Sequence, residues 1–302
     1  MTVINTIDSV KVEDSQRPRL PEWLKRSLPH SSAEQTHDVL SRYDLNTVCE
    51  SAKCPNRSEC YSRNTATFMI LGNSCTRSCG FCSVPTGKGE ILQETEPKRV
   101  AQAAKELGLE YVVITSVARD DLKDEGSEHF ADTIRAVYDA IPGVKVEVLT
   151  PDFHARPDLI RKVVEAKPVV FNHNLETVKR LQKEVRPQAS YERSLEVLRI
   201  VKSIDPQMTT KSGLMLGLGE TEAEILEAAR DLRDAGCDIL TLGQYLAPGG
   251  SQFLTVKKFY SPLSFNEMAD LIRPMGFREV FSGSYIRSSY HAGETFKNAR
   301  LN

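Results

Sequence analysis

Six of the seven cysteines fall within 34 consecutive residues, in two triplets with different spacings. The first triplet has the pattern C-x4-C-x5-C and consists of Cys49, Cys54 and Cys60. The second has the pattern C-x3-C-x2-C and consists of Cys75, Cys79 and Cys82. Thiolates are the usual ligands of a cubane iron–sulfur cluster, which has four irons to ligate. Three thiolates leave one iron open, so the two triplets predict two clusters that each need a further ligand.

Disulfides and zinc are the alternatives for clustered cysteines. Disulfide frameworks are typical of small secreted chains, whereas this chain has 302 residues and no apolar signal-peptide core near its start. Structural zinc sites usually pair two C-x2-4-C knuckles or use histidine, and neither triplet offers that pattern. Cys237 stands apart, and we expect it to be a small buried side chain.

The composition, 40% hydrophobic and 26% charged, is that of a globular protein. A formal net charge of −2 argues against nucleic-acid binding through bulk charge. No apolar run approaches the ~18 residues that a membrane helix needs. We therefore expect a cytoplasmic protein with a partly irregular N-terminal leader, which binds neither nucleic acid nor membrane.

Beyond residue 65, short apolar runs alternate with helical segments six times. Strands are predicted at 66–73, 111–115, 145–149, 169–172, 210–216 and 239–242. Helices are predicted at 97–108, about 127–141, 156–166, 174–183 with 190–203, 221–235 and 264–275. This alternation indicates an α/β fold with a parallel sheet covered by helices. Six units are fewer than the eight of a closed barrel, so we expect a partial (βα)6 barrel, with a doubly wound sheet as the alternative.

The remaining segments are predicted to be extensions that cover the barrel mouth. We divide the chain into an N-terminal extension (1–65), a barrel core (66–262) and a C-terminal helix and segment (263–302). Within the first, PEWLKRSL predicts a short helix, and 48–65 predicts a loop with short turns. The second cysteine triplet directly follows the first predicted strand, at the strand end where such folds gather their chemistry.

The C-x3-C-x2-C loop after a first strand resembles the radical S-adenosylmethionine superfamily, and Phe81 matches the aromatic residue common there. The resemblance implies that Cys75, Cys79 and Cys82 hold a [4Fe-4S] cluster. Its open iron would bind the amino and carboxylate groups of S-adenosylmethionine, which an electron then cleaves to a 5′-deoxyadenosyl radical. Softer candidates for contacts with this cofactor lie at the predicted strand ends and beyond: Thr115, Ser116, Asn172, Glu176 and Arg186.

The first triplet, in VCESAKCPNRSEC, and the C-terminal RSSYHAGE resemble the lipoyl synthase family. The resemblance extends over about 18–292 and includes TSVARDDLKDEG, FNHNLETV and KSGLMLGLGE. It implies that Cys49, Cys54, Cys60 and Ser289 hold an auxiliary [4Fe-4S] cluster. Residues LAPGGSQFLTVKKF and FSGSYIRSSY depart from the family pattern, so substrate contacts there are less securely transferred than cluster ligands.

The family resemblance implies insertion of two sulfur atoms at C6 and C8 of an octanoyl chain amide-linked to a carrier lysine, in lipoate biosynthesis. The auxiliary cluster would supply the sulfur, with one S-adenosylmethionine cleaved per sulfur atom and no side-chain acid or base required. The implied carriers are E2 subunits of 2-oxoacid dehydrogenases and the glycine cleavage H protein. A ferredoxin or flavodoxin would donate electrons, and we expect a monomer. A methylthiotransferase-like enzyme and a non-catalytic iron–sulfur carrier are the alternatives.

Overall fold

The computed structural model describes residues 10–11, 19–25, 34–63, 65–294 and 296. The described residues form ten strands: β1 (Val10–Lys11), β2 (Asn46–Thr47), β3 (Thr67–Ile70), β4 (Tyr111–Ser116), β5 (Lys145–Leu149), β6 (Val170–Asn172), β7 (Thr209–Leu216), β8 (Ile239–Gln244), β9 (Lys258–Phe259) and β10 (Glu279–Gly283). They also form ten α-helices: α1 (Glu34–Arg42), α2 (Val48–Ser51), α3 (Arg57–Ser62), α4 (Glu96–Glu106), α5 (Ser127–Ala140), α6 (Pro157–Glu165), α7 (Gln182–Val185), α8 (Tyr191–Ile204), α9 (Glu222–Asp234) and α10 (Pro262–Ile272).

Eight strands form one sheet in the order β10-β8-β7-β6-β5-β4-β3-β2. All neighbours are parallel except the edge strand β2, which is antiparallel to β3. The order never reverses, whereas a doubly wound sheet reverses at its switch point. Within the described residues the edge strands β2 and β10 do not pair with each other, so the barrel is open. This topology confirms the partial barrel, and β10 adds a parallel strand that the sequence analysis missed.

Two sequence predictions are wrong in detail. Residues 174–183 do not begin as a helix, because Glu176 has φ 68° and its backbone hydrogen-bonds Gly213 and Met215 of β7. Helical structure starts only at the 3-10 turn Lys179–Leu181. The segment 48–65, predicted as a loop, carries the short helices α2 and α3.

The N-terminal extension is described only in part. The predicted PEWLKRSL helix is a 3-10 turn at Glu22–Leu24, and its last residues lie outside the described ranges, as does most of the leader. Helix α1 joins α3 through Thr36, whose hydroxyl donates to the Tyr61 carbonyl at 2.8 Å. The short strands β1 and β9 form a separate antiparallel pair. In the part of the chain that the structure describes, we find no helix with the length and apolarity needed to cross a bilayer.

Local capping fixes the starts of the barrel helices α8 and α9. Ser190 accepts a hydrogen bond from the Arg193 amide at the start of α8. Thr221 and Glu224 form a reciprocal capping box at the start of α9, which satisfies amides that the first helical turn leaves without partners. Apolar side chains on the outer face of the sheet, among them the fully buried Phe68 and Ile114, pack against the barrel helices.

The inner sheet face carries a buried ion pair below the cavity described in the next subsection. Side chains two residues apart on a strand lie on the same face of the sheet. Glu147 therefore shares a face of β5 with Leu149, and Lys211 shares a face of β7 with Gly213. The Lys211 Nζ lies 3.0 Å from Glu147 Oε1, and both side chains are at most 1% exposed. Tyr111 donates its hydroxyl proton to Glu147 Oε2 at 2.7 Å. These groups form a polar floor inside the barrel.

Replacing Lys211 by Met tests this floor. The change leaves the Glu147 carboxylate without its ammonium partner inside the sheet, which typically costs about 3–5 kcal/mol of unfolding free energy. The double variant Lys211→Met/Glu147→Leu removes both charges and should lose less stability than Lys211→Met alone. Urea unfolding followed by circular dichroism measures both values. A loss in the double variant that equals or exceeds the loss in Lys211→Met would contradict a penalty from the unpaired Glu147 carboxylate.

Candidate iron–sulfur and cofactor site

The second cysteine triplet lies on the loop that follows β3. Backbone hydrogen bonds fix Cys75, whose amide donates to the Pro85 carbonyl and whose carbonyl accepts from the Gly87 amide. The Cys75 Sγ itself accepts hydrogen bonds from the amides of Arg77 at 3.4 Å and Ala118 at 3.3 Å. The Cys82 amide donates to the Cys79 carbonyl at 3.1 Å. The loop is therefore folded back on itself, and the Cys75 sulfur already accepts two hydrogen bonds.

The thiols of the two triplets are buried or half-buried, and burial raises the pKa of three of them. Burial raises the pKa of Cys49 to about 11, although hydrogen bonds with Thr67 oppose the rise. Burial also raises the pKa of Cys79 to about 12, against the positive charge of Arg186. Burial likewise raises the pKa of Cys82. Buried thiols of this kind lose their protons when a metal binds rather than before it.

The first triplet is held by α2, α3 and the turn between them. Thr47 caps α2 by accepting a hydrogen bond from the Glu50 amide at 3.3 Å. The Cys54 amide donates to the Cys49 carbonyl at 3.0 Å, and the Cys60 amide donates to the Asn56 carbonyl at 2.9 Å. The three cysteines thus lie on short, hydrogen-bonded elements at the edge of the sheet next to β2 and β3.

The C-terminal segment after β10 crosses the inner side of the sheet. Its Ile286 carbonyl packs so closely on β8 that a Cβ added at Gly243 would lie 2.1 Å from it, so this position requires glycine. Further along, Gly293 packs on the side chain of Tyr111 in β4, and Phe296 places its ring 6.0 Å from the Tyr111 ring. The segment therefore covers the interior from the β10 edge to β4.

Two side chains hold the residues on either side of Ser289. Asn174 donates to Ser288 Oγ at 3.3 Å. Glu59, which precedes Cys60 in α3, accepts the Tyr290 hydroxyl proton at 2.9 Å. Ser289 lies between these anchors, one of which belongs to the strand ends and the other to the first triplet.

A cavity of about 350 Å³ connects the first triplet, the C-terminal segment and the strand ends. Its lining includes Cys49, Cys54, Cys60 and Ser289. The second triplet's loop contributes Phe81, and the strand ends contribute Asn174 and Glu176. The remaining wall is largely apolar and includes Leu149, Met215, Leu246, Pro248 and Ile286.

The donor sets fit clusters better than disulfides or single metal ions. All seven cysteines are free thiols, and Cys237 lies apart from both triplets, fully buried. A zinc ion holds sulfurs about 2.3 Å from the metal and so within about 4 Å of one another. All six of these cysteines lie in described residues. In neither triplet do the three sulfurs all lie within 4.8 Å of one another. The wider spacing suits a polynuclear cluster.

Two of the five residues predicted to contact the cofactor, Thr115 and Arg186, already donate hydrogen bonds to backbone carbonyls. The Thr115 hydroxyl donates to the Leu149 carbonyl at 2.9 Å, and Arg186 donates to the Asn174 and Leu175 carbonyls. Burial raises the pKa of the half-buried Glu176, opposed by the positive charge of Arg186.

Several buried polar atoms at the strand ends have no hydrogen-bond partner among the described residues: Ser116 Oγ, Thr150 Oγ1, both amide atoms of Asn172, His173 Nε2 and Asn174 Oδ1. Buried polar groups without partners are rare, and each calls for a ligand or water. Burial and the charge of Arg186 lower the pKa of His173 to about 4, so the imidazole is neutral at pH 7. These atoms at the ends of β4 to β6 fit a polar cofactor.

The charged groups that hold the second triplet's loop were not predicted from the sequence. Arg77, between Cys75 and Cys79, donates to Asp120 and Asp152 after β4 and β5. No local pattern marks this contact, since Arg77 and Asp152 are 75 residues apart. Gly80 is held in the same way, because its backbone hydrogen-bonds Val185 and Leu254.

Comparison with solved structures supports the fold. The chain matches methylornithine synthase with a TM-score of 0.54 and 14% identity, over 90% of this chain and 96% of that one. It matches HydG, a maturase of the [FeFe]-hydrogenase, with a TM-score of 0.55 and 15% identity, over 86% and 74%. At such low identity these matches show a shared architecture.

Comparison at the sequence level identifies the family. Residues 69–241 match the model of the radical SAM superfamily, and residues 3–54 match the N-terminal domain of lipoyl synthase. A lipoyl synthase of Rubrobacter xylanophilus is 53% identical over 93% of this chain and 87% of its own. The lipoyl synthase of Caldanaerobacter subterraneus is 51% identical over 93% of this chain and 99% of its own. With cysteine triplets, cavity and open barrel arranged as described above, the chain belongs to the lipoyl synthase family of radical sulfur-inserting enzymes.

Proposed function

We propose that this protein inserts two sulfur atoms, at C6 and C8, into an octanoyl chain carried on a lysine of a carrier protein. The observation that supports this most is the single cavity that meets the first triplet, Ser289 and the second triplet's loop. A chain threaded into it would lie against the first triplet and next to Phe81 of the loop that carries the second triplet. The apolar walls at Leu149, Met215 and Ile286 suit an acyl chain, which offers no hydrogen-bonding groups.

The superfamily uses a [4Fe-4S] cluster and S-adenosylmethionine, and we assign Cys75, Cys79 and Cys82 to that cluster. When bound, the cluster and S-adenosylmethionine would together supply a carbon radical able to break unactivated C–H bonds. No acid or base in a protein can break such bonds. We assign the cofactor's polar groups to Thr115, Ser116, Asn172, Glu176 and Arg186. The unpartnered atoms of Ser116 and Asn172 favour this assignment.

We assign the second, auxiliary cluster to Cys49, Cys54, Cys60 and Ser289. All four side chains line the cavity, and Ser289 is held between the Asn174 and Glu59 anchors. Ser288 is a weaker choice because Asn174 already binds its hydroxyl. A serine oxygen is a harder and more easily released ligand than a thiolate, which suits a cluster that gives up sulfur.

We further propose the biological setting. The carriers would be E2 subunits of 2-oxoacid dehydrogenases and the glycine cleavage H protein, and the electron donor a ferredoxin or flavodoxin. The free thiols favour a reducing cytoplasm, where the enzyme would act as a monomer. The three-part division into 1–65, 66–262 and 263–302 follows these roles, since the outer parts carry the auxiliary ligands and the middle part the radical site.

The direct test is mass spectrometry of a carrier domain. An octanoylated carrier incubated without oxygen with reconstituted protein, dithionite and S-adenosylmethionine should gain two sulfur atoms. A carrier with an unmodified lysine is the control. Release of 5′-deoxyadenosine without any mass gain on the carrier would contradict sulfur insertion, and release of neither would contradict the radical role.

Alanine replacements of the two triplets should separate their roles. Cys75→Ala, Cys79→Ala or Cys82→Ala should abolish 5′-deoxyadenosine formation, because no radical forms without that cluster. Cys49→Ala, Cys54→Ala or Cys60→Ala should retain measurable 5′-deoxyadenosine but give no lipoyl product. Cys237→Ala, far from both triplets, is the matched control. Exchanged phenotypes would mean that the two roles are reversed.

Ser289→Ala should leave radical formation measurable but eliminate the lipoyl product, because one iron of the auxiliary cluster loses its oxygen ligand. Ser288→Ala is the matched neighbour and should be much milder, since it loses only the 3.3 Å contact with Asn174. Product and 5′-deoxyadenosine are quantified in the same reaction. Wild-type product from Ser289→Ala would remove this serine from the ligand set.

A further inference from the structure

The loop that carries the second triplet contains a buried arginine that contacts two carboxylates. Arg77 is 7% exposed. Its Nε lies 2.9 Å from Asp120 Oδ2, and its Nη2 lies 2.6 Å from Asp120 Oδ1 and 2.8 Å from Asp152 Oδ1. This geometry fastens the loop to the connections after β4 and β5.

A second arginine completes the group. Asp152 is fully buried, and its other oxygen lies 3.2 Å from Arg193 Nη1 in α8. Two arginines and two aspartates bear no net charge when all are ionised. The neighbouring titratable side chains are His154, which lies 3.8 Å from Asp120 and 2.9 Å from Glu125, and His173.

Arg77 and the two aspartates are expected to be ionised at neutral pH. Burial disfavours the Asp152 carboxylate, but the hydrogen bond and charge of Arg77 outweigh it and hold the Asp152 pKa below its ordinary value. The Asp120 pKa is lowered for the same reasons. Burial favours loss of the Arg77 proton, but the two aspartates still raise the Arg77 pKa.

The position of this group relates it to the cluster rather than to general stability. Arg77 belongs to the cysteine loop itself, and its amide donates to the Cys75 sulfur at 3.4 Å. The reduction potential of an iron–sulfur cluster depends on nearby charge and on hydrogen bonds to its sulfurs. Charges in a buried site are weakly screened by solvent, so an uncompensated charge next to the cysteine loop would affect the cluster.

We propose that Arg77, Asp120, Asp152 and Arg193 form a net-neutral charge group that positions the radical cluster's loop and sets that cluster's reduction potential. Arg77 is the positioning residue, and the two aspartates cancel its charge. The proposal rests on the assignment of Cys75, Cys79 and Cys82 to the radical cluster. It does not depend on sulfur insertion.

Two substitutions that break the same ion pair with opposite charge changes test this proposal. Asp152→Asn removes a negative charge and should shift the potential to a more positive value, with slower S-adenosylmethionine cleavage. Arg193→Gln removes a positive charge and should shift the potential to a more negative value. The second shift should be smaller, because the Arg193 side chain is 29% exposed and so better screened.

The potentials are measured by redox titration with electron paramagnetic resonance on the full-length, reconstituted protein. The radical cluster is the reduced signal that changes when S-adenosylmethionine is added, which distinguishes it from an auxiliary cluster. Thermal unfolding of each variant before reconstitution reports structural damage separately. If Asp152→Asn does not fold, Asp120→Asn removes the same charge from a more exposed position and should also raise the potential.

Opposite shifts in the two variants would support the proposal, because loss of one ion pair by itself would change both in the same direction. Shifts of the same sign, or unchanged potentials in both, would overturn the electrostatic role. Absence of any S-adenosylmethionine-sensitive signal in the parent protein would instead contradict the cluster assignment. Failure of lipoyl formation alone would bear only on the proposed function.

Discussion

Continuous parallel pairing from β3 to β8, with β10 added, is the constraint on which the rest of the structure depends. Parallel strands all end at the same edge of a sheet, so the connections after them meet there. The cysteine loop after β3 and the aspartates after β4 and β5 are distant in sequence. The sheet brings them within hydrogen-bonding distance, and no local interaction could do so.

The open barrel creates a second requirement, since its interior lacks the strands that would close it. A closed barrel of this kind fills its interior with layers of side chains. Here Glu147 and Lys211 fill the lower layer, while the level above them is the cavity. The C-terminal segment supplies part of the missing wall by packing against the β8 backbone at Gly243. Thus the segment that carries Ser289 is also a wall of the cavity.

Features set by local sequence could be predicted, and features set by tertiary contacts could not. The six strands, most of their helices and the position of the second triplet follow from short patterns of apolar residues, Gly and Pro. The Arg77–Asp152 and Lys211–Glu147 pairs join residues 75 and 64 positions apart, and no pattern marks them. Helices α2 and α3 were predicted as loop because their segment is rich in Asn, Ser, Arg and Pro, and strand β10 was not predicted. The helix predicted from residue 174 failed because pairing with β7 outweighed helix propensity.

The two adjacent serines, of which only Ser289 is proposed as a ligand, differ in their tertiary contacts. Ser288 and Ser289 have the same side chain and both line the cavity. They differ because Asn174, 114 residues earlier, already occupies the Ser288 hydroxyl. On the other side, Glu59 binds Tyr290 from the helix that bears Cys60. The proposal that Ser289 is the fourth ligand therefore rests on the anchors on its two neighbours and not on any special reactivity of its own hydroxyl.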